Sequence, residues 1–84
     1  MQFIRAKRNK IYPLWVAKYY DLKIYVRMLT VTKVYHFNIV KNGINIYSSI
    51  DHNTYFTEFD ETVKYIEEWL KNNYAKEKDY NNEI

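Results

Sequence analysis

Two histidines are the first residues in this chain to test for chemistry. His52 follows Asp51 in the polar run Asp51-His52-Asn53-Thr54, so an imidazole base stands beside a carboxylate. A working pair needs the carboxylate to face the ring and a nucleophile to face the base. Neighbouring loop residues rarely face each other, and no nucleophile is placed by motif. His36 falls on the polar side of a strand pattern. Two histidines and no cysteine provide no metal-ligand spacing. The carboxylate pairs Asp60/Glu61 and Glu67/Glu68 lie in a helical pattern, where successive side chains diverge by about 100°, so neither pair shares a site. Gly43 is the only glycine, which excludes a glycine-rich phosphate loop. These residues predict a protein without catalytic residues, metal or cofactor.

Charge is the more informative chemistry. Residues 1–50 hold nine Lys/Arg against one acid, Asp21, a net of +8, whereas residues 51–84 hold four Lys against nine Asp/Glu, a net of −5. The overall +3 conceals this split. Such asymmetry governs partners and association rates rather than fold. The basic half carries aromatics among its cations, the combination that phosphate contact and base stacking require. The residues that would serve are Arg5, Lys7, Arg8, Lys18, Lys23, Tyr25 and Arg27. The acidic half offers a different surface, with Glu61 and Glu68 free of obvious Lys partners and continuing into Glu77, Asp79 and Glu83. Tyr65, at the edge of the helix stripe, and Tyr47, assigned to the outer sheet face, are its candidate anchors, because Tyr is enriched at interface hot spots.

The elements that must position these groups follow from periodicity. Residues 2–7 read as a short strand. Segments 14–20, 22–31, 34–41 and 44–50 alternate with period two; in the second, Leu22, Ile24, Val26 and Met28 face one way and Lys23, Tyr25, Arg27 and Leu29 the other. A tight turn at Tyr20-Asp21 would place Lys18 opposite Lys23 and Val16 opposite Tyr25. The segment between Leu29 and Val34 lacks Gly, Pro, Asn and Asp, which leaves a turn and a long bent strand both open. Asn42-Gly43 is the preferred type I′ hairpin turn, and a two-residue loop there pairs Lys41 with Ile44, Ile39 with Ile46, Phe37 with Ser48 and Tyr35 with Ile50. Thr57 and Asp60 resemble a capping box opening a helix over about 58–73, whose apolar stripe is Phe59, Val63, Ile66 and Leu70 with Trp69 beside it.

The expected fold is α+β: an antiparallel meander of three to five strands, followed by one amphipathic helix packed on one sheet face. Residues 1–74 are expected to form a single compact domain and residues 75–84 a flexible acidic tail. Sixteen aromatics, ten of them Tyr, supply the core of a chain of 84 residues without disulfides; each buried ring removes about 150–250 Å² from water. No apolar run reaches the roughly 18 residues of a membrane helix. The basic N-terminus faintly resembles a signal peptide, but Pro13 and Lys18 break the apolar stretch after it. Together with the absence of cysteine, this predicts a cytoplasmic protein. Lys, Ile, Asn and Tyr make up 38 of the 84 residues, a bias of AT-rich codons that points to a low-GC bacterium, its phages or mobile elements.

The run Trp15-Val16-Ala17-Lys18-Tyr19 as a strand, with Tyr55-Phe56-Thr57 leading into a helix over 59–69, resembles the AP2-like and integrase arm-type DNA-binding domains. The resemblance is one of pattern over about half the chain, and the glycine usual before the helix is absent. It implies a sheet that reads DNA. In size and composition the chain is also similar to the small phage-encoded inhibitors, anti-CRISPR proteins among them. The leading expectation is therefore a non-enzymatic, anti-defence type inhibitor that binds a bacterial nucleic-acid-handling protein through Glu61, Tyr65, Glu68 and Tyr47. The alternative is a DNA- or RNA-binding module that uses the basic aromatic face of its sheet. A homodimer through an open sheet edge is a further expectation.

Overall fold

Alternation through the middle of the chain demands a sheet with one apolar and one polar side, and the helix stripe supplies the cover for the apolar side. The computed structural model, which describes residues 1–6 and 12–75, has this arrangement. The strands β1 (Ile4–Arg5), β2 (Leu14–Tyr19), β3 (Leu22–Leu29), β4 (Val34–Lys41) and β5 (Ile44–Ser48) form one antiparallel meander in chain order. A 3-10 turn (Ile50–His52) leads toward the helix α1 (Phe59–Leu70), which Lys71–Ala75 extend as a wider π turn. The fold is α+β as expected. The expected strand at 2–7 is reduced to two residues. Lys7, Arg8, Glu77, Asp79 and Glu83 lie outside the described residues.

Turn chemistry explains the register. Tyr20 takes the left-handed conformation at φ 56°, and the tight turn so formed sets Lys18 opposite Lys23, Val16 opposite Tyr25 and Leu14 opposite Arg27. Asn42 and Gly43 both have positive φ, 52° and 78°, as a type I′ turn requires. Residues 29–34 form a turn, not a bent strand. The Lys33 N–H donates to the Leu29 carbonyl at 2.6 Å, with Lys33 at φ 58°.

The expected register of the last hairpin holds for Lys41–Ile44 and then fails. A β-bulge shifts the pairing, so Val40 faces Asn45 but Ile39 faces Tyr47 and Asn38 faces Ser48. The extra residue, Ile46, is pushed outward and is 43% exposed. Because side chains alternate with period two, a one-residue slip inverts every later side chain. Tyr47 therefore lies on the core side, not on the outer face expected for it, and Tyr35 bridges to Phe56 rather than Ile50. The Asn45 amide, turned with its nitrogen inward, donates to the carbonyls of Tyr47 (3.1 Å) and Ile39 (3.2 Å) and ties the bulge together.

The core lies between the sheet and α1. Leu22, Ile24 and Val26 from β3, Phe37 and Ile39 from β4, and Ile66 and Leu70 from α1 are buried, each contributing roughly 1.5–3 kcal/mol relative to exposure. Phe59 anchors the start of the helix, with its ring 4.8 Å from Trp15, 5.9 Å from Tyr35 and 5.8 Å from Phe3. The expected capping box does not form: Glu58 is the N-cap, extended and without a side-chain cap bond. Thr62, not Val63, is the fully buried position beside Ile66. Its hydroxyl donates to the Glu58 carbonyl at 2.9 Å, which satisfies it within the helix. At the far end Tyr74 is buried near Tyr19 and Tyr20, and its hydroxyl donates to Asp21.

Candidate nucleic-acid interface

Strand pairing arranges the outer face of the sheet in three cross-strand rows. Leu14, Arg27 and His36 form one; Val16, Tyr25, Asn38 and Ser48 the next; Lys18, Lys23, Val40 and Asn45 the third. The helix packs on the opposite side. Three cations therefore share this face, and its strands place no carboxylate there. Asp21, in the turn at its rim, pairs with Lys41 at 3.9 Å and accepts from the Tyr74 hydroxyl. Lys18 and Lys23 are exposed and directly opposed. Like charges so placed are unfavourable in an isolated sheet, and an anion lying across them relieves that repulsion.

Arg27 is held more firmly. Its Nη2 donates to Asn38 Oδ1 at 2.8 Å and its guanidinium lies 5.7 Å from the centre of the Tyr12 ring. Its Nε is buried without a hydrogen-bond partner among the described residues. A depression of about 130 Å³ lies beside it, lined by His36, Asn38, Asn45, Ser48 and Ile50. Burial lowers the His36 pKa below its ordinary 6.5, and the Arg27 charge adds to the effect against an opposing hydrogen bond at the Thr54 backbone. The His36 Nδ1 lies 3.4 Å from Ser49 Oγ, which accepts the Phe37 N–H at 2.9 Å. The imidazole is thus a structural wall of this pocket.

A second depression, of about 290 Å³, is lined by Asp21, Lys23, Tyr25, Val40, Asn42 and Gly43. Tyr25 is half-buried and lines this second hollow.

The structure brings together Lys18, Lys23, Tyr25 and Arg27 as the sequence predicts, and Arg5 lines a hollow at the β1 edge with Ile4, Val16 and Lys18. Arg5 pairs with Trp15, whose side chain belongs to the core side, and its guanidinium sits 5.1 Å from the Trp15 ring centre. His36 and Asn38, the uncharged lining of the Arg27 pocket, carried no sequence signal beyond their polar-face positions.

The acidic set divides. Glu61 and Glu68 are exposed on α1. Tyr47 lies on the core side, where burial first and its neighbour Tyr65 second push its phenol up to about 12. Tyr47 stacks on Phe37 at 5.5 Å and on His52 at 4.4 Å, and lies 5.1 Å from Trp69. Tyr65 packs 5.1 Å from Phe56. These tyrosines close the core along β5. His52 Nδ1 is 2.9 Å from the Ser48 carbonyl, and nothing brings Asp51 to it as an orienting partner.

No group of three or more His, Cys, Asp or Glu that could hold a metal ion occurs among the described residues, and none of their helices is long and apolar enough to cross a membrane. No family model, curated protein or solved structure matches the chain.

Proposed function

We propose that this protein is a non-enzymatic, cytoplasmic binding module that holds nucleic acid against the outer face of its sheet. The observation that carries the reading is the convergence of Lys18, Lys23 and Arg27 around Tyr25 on strands that place no carboxylate beside them. Backbone phosphates would supply the counter-charge and Tyr25 an aromatic platform. The acidic residues of α1 lie on the other layer, so they do not neutralise this face. The test is fluorescence-anisotropy titration of labelled DNA and RNA with the wild type and with the Lys18→Glu/Lys23→Glu/Arg27→Glu variant. Salt-sensitive binding lost in the variant supports the proposal. Equal binding by the two proteins overturns it.

A second reading uses the acidic layer. Glu61 and Glu68 project from α1 as a carboxylate surface suited to the basic groove of a nucleic-acid-handling protein, in the manner of a phage or mobile-element inhibitor. Their exposure supports it. Tyr47 packs on the core side, whereas Tyr65 is 38% exposed on the same helix as these carboxylates and is open to a partner. This reading predicts that Glu61→Lys/Glu68→Lys abolishes inhibition of such a partner, while the basic-face variant does not.

A further inference from the structure

The proposed nucleic-acid face leaves open whether the ligand is a duplex or a single strand, and the width of the sheet bears on this. Strands β2 to β5 span three inter-strand gaps of about 4.8 Å, roughly 14 Å in all, and β1 adds another. A major groove is about 12 Å wide and admits a two-stranded ribbon. A sheet four or five strands wide cannot enter it face-on, which separates this protein from the three-stranded DNA readers its pattern resembles. The face can only lie against a duplex from outside, where Tyr25 would meet no base.

Local shape favours a different ligand. Tyr25 sits on the central strand, with Lys23 and Arg27 two residues away on either side, each about 7 Å along the strand. The hollow of about 290 Å³ beside the ring has Val40 as an apolar wall and Lys23 at its edge, with Asp21, which Lys41 and the Tyr74 hydroxyl engage, at its rim. Asn38, the direct cross-strand partner of Tyr25, lines the separate hollow beside Arg27. Its carbonyl oxygen is occupied by Arg27 at 2.8 Å, which fixes the amide plane. An unstacked base offers a π face to the ring, while its flanking phosphates meet cations on both sides. A base within a duplex is stacked on its neighbours and offers no free π face to the ring. Resting on the nucleic-acid reading above, we infer that the ligand is single-stranded, with one base stacked on Tyr25 in the hollow beside Lys23 and its neighbouring phosphates held by the Lys18/Lys23 pair and by Arg27.

The test compares single- and double-stranded oligonucleotides of one sequence, as DNA and as RNA, by fluorescence anisotropy with wild type, Tyr25→Leu and Tyr25→Phe. Circular dichroism and thermal melts establish that each variant is folded. The expected result is tighter binding of the single strand, lost by roughly 5- to 150-fold in Tyr25→Leu and retained in Tyr25→Phe, whose ring still stacks. Equal affinity for both forms, with Tyr25→Leu unchanged, would overturn the single-strand inference while leaving the charged face as a nucleic-acid surface. No binding to any oligonucleotide at low salt would overturn the nucleic-acid reading itself, and this inference with it.

Discussion

Replacing Lys18 by Glu should make the fold more stable and the proposed interface weaker. Lys18 and Lys23 are directly opposed on β2 and β3, and both are exposed. Opposite charges at such a position stabilise by roughly 0.2–1 kcal/mol, and like charges destabilise by a similar amount. Exposure and long side chains place this pair at the low end of the range. Exchanging repulsion for attraction should therefore contribute about 0.5 kcal/mol. Lys and Glu are both poor strand formers, so intrinsic preference changes little. For a domain of this size that energy corresponds to a rise in Tm of roughly 2–4 °C. The assay is a pair of thermal melts, at low salt and at about 0.5 M salt, where a surface charge effect should shrink. Oligonucleotide affinity of the same variant should fall, and the slope of log affinity against log salt should become shallower by about 0.7, the loss of one phosphate contact. A lower Tm at low salt would refute the account of the pair as a cost to the fold. Unchanged affinity would refute its role in binding.

Three further outcomes test the packing. Tyr47→Ala should cost about 3 kcal/mol in denaturant unfolding, as a ring removed from the core side does, whereas Ile46→Ala should cost under about 1 kcal/mol; the reverse ranking would restore the unbulged register. Ser49→Ala should destabilise by about 1–3 kcal/mol, because it leaves the buried Phe37 N–H without its acceptor; a cost near zero would contradict that bond. His36 is held below 6.5 in the folded chain, so under that pH the unfolded chain binds the extra proton. Its contribution to stability is full above 6.5 and is lost as pH falls below it. His36→Gln should therefore flatten the decline between pH 7 and 5.5, and an unaltered decline would remove His36 as its source.

The parts of this fold that could be read in advance share a physical reason. The Asn42-Gly43 turn and the alternation Leu22, Ile24, Val26 against Lys23, Tyr25, Arg27 are local signals that agree with each other, and together they place the basic residues on one face. The bulge at Asn45-Ile46 was not legible because both faces of 44–50 are partly apolar. Ile44 and Ile46 fit the core pattern as well as Tyr47 does, and the Asn45 amide that secures the slip is a tertiary device. Thr62 was passed over as a polar residue in an apolar stripe, although its bond to the Glu58 carbonyl is the local means by which threonine becomes a core residue. The position of Arg5 at the sheet edge, beside Trp15 and near Lys18, depends on the pairing of the two-residue strand β1. The separation of the basic and acidic halves into opposite layers depends on which sheet face the helix covers.

The measurement that bears most directly on the account is the salt dependence of single-stranded oligonucleotide binding by the intact protein. Three phosphate contacts, at Lys18, Lys23 and Arg27, predict a slope of log affinity against log salt of about −2, which vanishes when all three are reversed to Glu. A slope near zero, binding that survives the reversal, or no binding at low salt would contradict the claim that this face holds nucleic acid.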